Sequence, residues 1–109
     1  MGARDAIYDA LEAAGVPAAE DHFRSDALGA LGTHAVVRYG GTETQFCNDS
    51  VHFDVDEWSV TLYSPERDEA AEKKVVTALR NAGLPVGKSS SGYDDEHHVH
   101  WCEWDFQAM

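Results

Sequence analysis

An α+β fold, with an antiparallel or mixed sheet of four to five strands and two helices packed on one face, is what the sequence predicts. Three observations lead there. Two segments space apolar residues as one face of a helix: Ile7, Ala10, Leu11 and Ala14, then Ala71, Val75, Ala78, Leu79 and Ala82. Other runs are β-branched and aromatic with a period of two, Trp58 to Tyr63 above all. The elements follow one another as α-β-β-β-α-β-β, and 109 residues suit a single domain, 1–109, around one core.

The first helix is expected over Ala3 to Ala14, where Gly15 supplies a left-handed C′ position and Pro17 forbids continuation. The ending Ala13-Ala14-Gly15-Val16-Pro17 is echoed by Asn81-Ala82-Gly83-Leu84-Pro85, so both helices should stop by the same capping chemistry. Ala18 to Gly32 reads as a long connection with a short strand near His22 to Arg24. Ala35 to Tyr39 is a strand that Gly40-Gly41 should end, and a second runs near Gln45 to Phe53. Asp54-Val55-Asp56-Glu57 reads as a polar turn. Trp58 to Tyr63 is the clearest strand, with Trp58, Val60 and Leu62 facing the core. Ser64-Pro65-Glu66 reads as a helix start, with Ser as N-cap and Pro at the first helical position, and that helix should run to Ala82. A short strand near Val86, a flexible Ser89-Ser90-Ser91-Gly92 stretch and a last strand from His97 to Phe106 complete the chain.

The sequence holds 8 Lys and Arg against 20 Asp and Glu, a net charge of −12. Unaided binding to a nucleic-acid backbone or an anionic membrane surface depends on basic residues and is not expected. No apolar run approaches the ~20 residues of a membrane span, and no signal-peptide stretch opens the chain, so a soluble cytosolic protein is expected. Cys47 and Cys102 are too sparse for a disulfide scaffold and read as buried free thiols.

His97-His98-Val99-His100-Trp101-Cys102 is the most tempting chemical cluster, since zinc prefers His and Cys. On a strand, His98, His100 and Cys102 would share a face, but three ligands in a straight row need a fourth from elsewhere, and Asp54, Asp56 or His52 would have to supply it. Polar residues on a solvent or interface face account for them better. Gly87-Lys88-Ser89 fails as a phosphate loop because Ala82 stands where a glycine is required. No dinucleotide fingerprint and no Ser-His-Asp spacing occurs, so neither a cofactor nor catalysis is expected.

Ile7-Tyr8-Asp9-Ala10-Leu11 with Gly15-Val16-Pro17, Val36-Val37-Arg38-Tyr39, Trp58 to Ser64, Glu69 to Leu79, and Tyr93 with Trp101 and Trp104-Asp105-Phe106 together resemble the small tail terminators of long-tailed phages and prophages. These are also called tail-completion or head–tail joining proteins. The resemblance implies an α+β virion subunit that caps the tail tube as a homohexameric ring and docks to the head connector. Its implied partners are further copies of itself, the major tail tube protein and the head-completion protein. DNA would pass through an acidic lumen without specific binding, in a neck assembled in the host cytoplasm. Interface residues are expected at Trp101, Trp104, His98 and His100 on the last strand and at Asp54 and Asp56. A small acidic DNA mimic that inhibits a basic partner is the alternative.

Overall fold

In the computed structural model, residues 2–20, 32–47, 51–87 and 89–108 are described, with backbone alone at 19–20, 43–47 and 51–53. Helix α1 (Ala3–Ala13) is followed by β1 (Ala18–Glu20), β2 (His34–Cys47), β3 (Val51–Ser64), helix α2 (Glu69–Asn81), β4 (Ser89–Asp94) and β5 (Val99–Ala108). The strands form one sheet in the order β1-β2-β3-β5-β4. All neighbours are antiparallel except β1 and β2, which run parallel over Ala18–Glu20 and Ala35–Val37. This is the expected α+β class, with the sheet mixed through β1 alone.

Alternation along the central strands decides which side is covered. Ala35 and Val37 on β2, Trp58, Val60 and Leu62 on β3, and Cys102, Trp104 and Phe106 on β5 are all buried in one cluster. That cluster receives Ile7, Ala10 and Leu11 from α1 and Val75 and Leu79 from α2. Ile7, Leu11, Val75 and Leu79 are fully buried, and each is worth roughly 1.5–3 kcal/mol of transfer free energy.

Both helices stop as their matched sequences require. Val16 N–H donates to the Leu11 carbonyl at 3.0 Å and Gly15 N–H to that of Glu12 at 2.9 Å, with Gly15 at φ +74°. Leu84 N–H donates to Leu79 at 3.2 Å and Gly83 N–H to Arg80 at 3.0 Å, with Gly83 at φ +83°. These paired bonds are the Schellman motif, whose positive φ a residue with a Cβ adopts only under strain. Val16 and Leu84, one residue further on, are buried against the same core.

Several expectations are corrected. Gly40-Gly41 does not end a strand: β2 continues to Cys47, and the register slips between Tyr39 and Gly41, where Gly41 sits at φ +105°. The glycines form a bulge within a longer strand. The segment from Gln45 to Phe53 is likewise not one strand but two arms of a hairpin, Gln45 pairing with Phe53 and Cys47 with Val51. Asp54 to Glu57 is no turn but the middle of β3, paired with Gly41 to Thr44, with Val55 buried between its acidic neighbours. Helix α2 starts later than Ser64, which still pairs with His100 as the last residue of β3. Asp68 is the N-cap and accepts from Ala71 N–H at 3.0 Å.

Val86 is buried in a coil, whereas the serine stretch expected to be flexible is strand β4, aligned by its pairing with β5. Ala18–Glu20, expected within a connection, forms β1. The strand considered near His22 to Arg24 lies outside the described residues, as does the side chain of Cys47.

Candidate functional site

The histidines that suggested metal binding are held by three different devices. β5 begins at Val99, so His98 lies in the preceding turn, at φ +54°. Asp94 organises that turn: its Oδ1 accepts from the backbone N–H of Glu96 at 2.9 Å and of His97 at 3.1 Å. Its Oδ2 lies 2.9 Å from His97 Nδ1. The hydrogen bond to this carboxylate raises the His97 pKa above its ordinary 6.5, and the same contact lowers that of Asp94. His98 approaches the Tyr93 hydroxyl through Nδ1 at 3.5 Å, and the His100 ring tilts against the Tyr93 ring at 4.8 Å between centroids. Tyr93, unmarked by any sequence motif, is thus where His98 and His100 meet.

Cys102 does not join them as a metal ligand. The positive φ at His98 takes it out of the strand, so the single face expected for His98, His100 and Cys102 does not form. Among the described residues no group of three or more His, Cys, Asp or Glu side chains is placed to hold a metal. Cys102 is buried at the floor of a cleft of about 340 Å³, lined by Arg67, Glu72, Ser91, Tyr93 and His100. Burial first, and the Glu72 carboxylate second, push its thiol up to about 11. Roughly one thiol in ten thousand would be ionised at pH 7, so the neighbouring His and Glu do not make it a nucleophile.

The remaining expected residues separate into core and surface. Trp104 is 3% exposed and belongs to the core beneath the helices. Trp101, on the opposite face, pairs with Gly92 and lays its indole over it. A Cβ built at Gly92 would come within 2.7 Å of the ring. A lone glycine in a strand is the signal of such a close approach. On the same face Arg38 Nη1 donates to Thr61 Oγ1 at 3.3 Å, and that hydroxyl donates to Glu103 Oε2 at 3.1 Å, a polar relay across β2, β3 and β5. His34 stacks on Tyr63 with centroids 5.4 Å apart.

Asp54 is exposed on β3, and Asp56 anchors the root of a projecting hairpin. The Thr42 hydroxyl donates to Asp56 Oδ1 at 2.7 Å, and the Tyr39 hydroxyl lies 3.3 Å from the same oxygen. Tyr39 also packs against Trp58, with ring centroids 5.0 Å apart. Gln107 Nε2 donates to Glu57 Oε1 at 3.2 Å, tying the end of β5 to this root. Beyond Asp56, which pairs with Ala108, β3 has no partner except β2 among the described residues. Among the described residues β1 covers β2 as far as Val37. The two-stranded arm continues for five more residue pairs, from Glu43 and Val55 to Cys47 and Val51. At 3.4 Å per residue that is about 17 Å. The dimensions follow: 50 × 26 × 21 Å overall, with a radius of gyration of 14.9 Å. A compact chain of this length would have about 13 Å.

At the far side of the sheet β4 is an edge strand, with Ser89, Ser90, Ser91 and Tyr93 exposed. A groove between β4 and α2 is lined by Arg67, Lys73 and Arg80 together with Glu69, Glu72 and Ser89. A second, shallow trough lies between the helices, floored by Ala10, Ala13 and Ala78 and rimmed by Asp9 and Lys73. The described residues therefore present an arm at one end and an edge strand at another, with different chemistry on each.

No protein-family model matches the sequence, and no curated protein matches it. Among solved structures the fold is similar to a chain from the virion of a native gene transfer agent particle. The two share 14% identity with a TM-score of 0.53, and the match covers 96% of this chain and 91% of that one.

Proposed function

We propose that this chain is a structural virion protein, a tail terminator or head–tail joining component that caps the tail tube as a ring and docks to the head connector. The observation that carries the reading is the fold shared along nearly its whole length with a chain of a gene transfer agent virion. The tail-terminator resemblance of the sequence points the same way. A ring requires a heterologous contact, in which each subunit offers two different surfaces. The arm and the β4 edge are two such surfaces on one small molecule. His98, His100 and Trp101 lie on the β4–β5 side, Asp54 and Asp56 on the arm side, and Trp104 supports β5 from beneath.

A net charge of −12 suits a ring through which DNA moves, since negative walls let a polyanion slide without sticking. The tube protein and the head-completion protein are the partners on the two ring faces. Native mass spectrometry over a concentration series, with negative-stain images of the same samples, tests the proposal. A closed ring of about six copies with a lumen wide enough for duplex DNA is expected. A chain that neither forms rings nor binds purified tail tubes would refute it.

A further inference from the structure

We infer that copies of this chain join by strand addition, the acidic hairpin arm of one copy pairing along the open edge of β4 of the next. This rests on the ring reading above, and it names the contact that would build the ring.

Among the described residues two open sheet edges lie on different parts of the molecule. Here β4 is hydrogen-bonded only to β5, and no described strand lies on the other side of its backbone from Ser89 to Asp94. Natural edges are commonly guarded by Lys, Pro or a bulge within the strand. The six residues Ser-Ser-Ser-Gly-Tyr-Asp contain neither Lys nor Pro, and their register with β5 runs unbroken from Ser89–Trp104 to Asp94–Val99. The arm has the matching deficiency. Among the described residues β3 has no neighbour but β2 from Val51 to Val55, and β2 has none but β3 from Arg38 to Cys47. An isolated two-stranded hairpin is marginal in water, so an arm reaching about 17 Å beyond its last β5 contact gains stability from a third strand.

Charge selects the pairing. No Lys or Arg occurs between Arg38 and Arg67, while residues 43–55, the arm beyond its root, contain Glu43, Asp49 and Asp54, a charge of −3, with Asp56 and Glu57 at the root. Five of the 8 basic residues of the chain fall between Arg67 and Lys88, against Asp68, Glu69 and Glu72, which leaves +2 in a molecule of −12. Arg67, Lys73 and Arg80, with Glu69 and Glu72 between them, line the groove between α2 and the start of β4 at Ser89. An arm laid along β4 brings its carboxylates toward the more basic side of the molecule. Laid along another arm it would face only its own sign, so the pairing runs head to tail and like-with-like contacts are disfavoured.

Two half-competent variants test this. In the first, residues 44–54 are replaced by Asn-Gly, a two-residue hairpin turn that keeps the Tyr39–Thr42–Asp56 root. In the second, β4 is blocked by Ser90→Pro or Ser91→Pro. Of two adjacent residues in an antiparallel strand, one aims its N–H at its partner and the other aims it away. The substitution that retains wild-type melting is therefore the edge block. Native mass spectrometry of each variant alone is expected to show monomers at concentrations where the unmodified chain assembles. Their mixture is expected to give a 1:1 dimer and nothing larger, because one intact arm meets one intact edge.

Assembly of the armless variant at the same concentration as the unmodified chain would overturn the inference. So would a mixture that stays monomeric, or an unmodified chain that never associates. Rings that survive loss of the arm would reject strand addition and leave the terminator reading standing. Open chains or dimers that depend on the arm would support strand addition and reject the ring.

Discussion

Gly92→Ala is a small change with a large expected effect. The Cβ it introduces would stand 2.7 Å from Trp101 Cζ2 and 2.9 Å from Cε2, well inside van der Waals contact. The indole is the bulky, rigid partner, and it must tilt away or β4 must separate from β5. Overpacking of this kind costs about 1–3 kcal/mol. For a domain of about 100 residues each kcal/mol lowers Tm by about 4–8 °C, so a fall of about 10 °C is expected in thermal melts followed by circular dichroism. Trp101→Ala removes the obstacle, and on that background Gly92→Ala should cost little. The double-mutant cycle therefore carries a coupling energy of about 1–2 kcal/mol, opposite in sign to the single-mutant cost. A Gly92→Ala protein that melts with the unmodified chain, or the same loss in both backgrounds, would refute the placement of the indole over Gly92.

At the helix ends, Gly15→Ala and Gly83→Ala should each cost about 1 kcal/mol through backbone strain alone, since space is open at both positions. Urea titration should show a lower midpoint with an unchanged slope. Asp68→Ala removes the N-cap bond to Ala71 and should cost about 1 kcal/mol by the same measurement. In a Cys47→Ser background, Cys102 should resist thiol reagents at pH 8 until denaturant is added, and fast labelling of the native chain would contradict its burial. His97 should titrate above 6.5 in an NMR series, and Asp94→Asn should bring its midpoint down. The sign follows from the shifts: His97's contribution is full below 6.5 and lost as pH rises through its raised value. That of Asp94 is full above 3.8 and lost as pH falls through its lowered one. The turn is solvent-facing, so the effect belongs in the chemical shifts more than in Tm.

What was legible in the sequence is what local chemistry determines. The alternation from Trp58 to Tyr63 requires one face in the core whatever lies opposite, and Gly15 and Gly83 need a left-handed residue regardless of context. The misread segments are those whose conformation is set by a distant partner. Ser89 to Gly92 has weak strand propensity and becomes β4 because β5 lies beside it. Asp54 to Glu57 has the composition of a turn, yet the bulge at Gly40-Gly41 carries β2 past it and holds it in a ladder. Ser64 had the chemistry of an N-cap, but pairing with His100 keeps it in β3 and leaves the cap to Asp68. At the candidate site the histidine cluster was visible as composition, whereas its meeting point at Tyr93 depends on the tight turn that Asp94 closes. The projecting arm has no local signature, since it is defined by how far β5 runs beside β3.

The position of β5 bears on how the molecule comes into being during translation. Among the described elements it comes last in chain order, yet it lies inside the sheet, between β3 and β4. While a ribosome is still making it, the β2–β3 hairpin can close locally, but β3 has a vacant side and β4 has nothing to zip onto. The nascent polypeptide therefore cannot complete its core one element at a time. It must hold that vacancy until residues 99–108 leave the exit tunnel, and then fold in one late, cooperative step. Until that step occurs β4 has no strand beside it to hold it in the sheet.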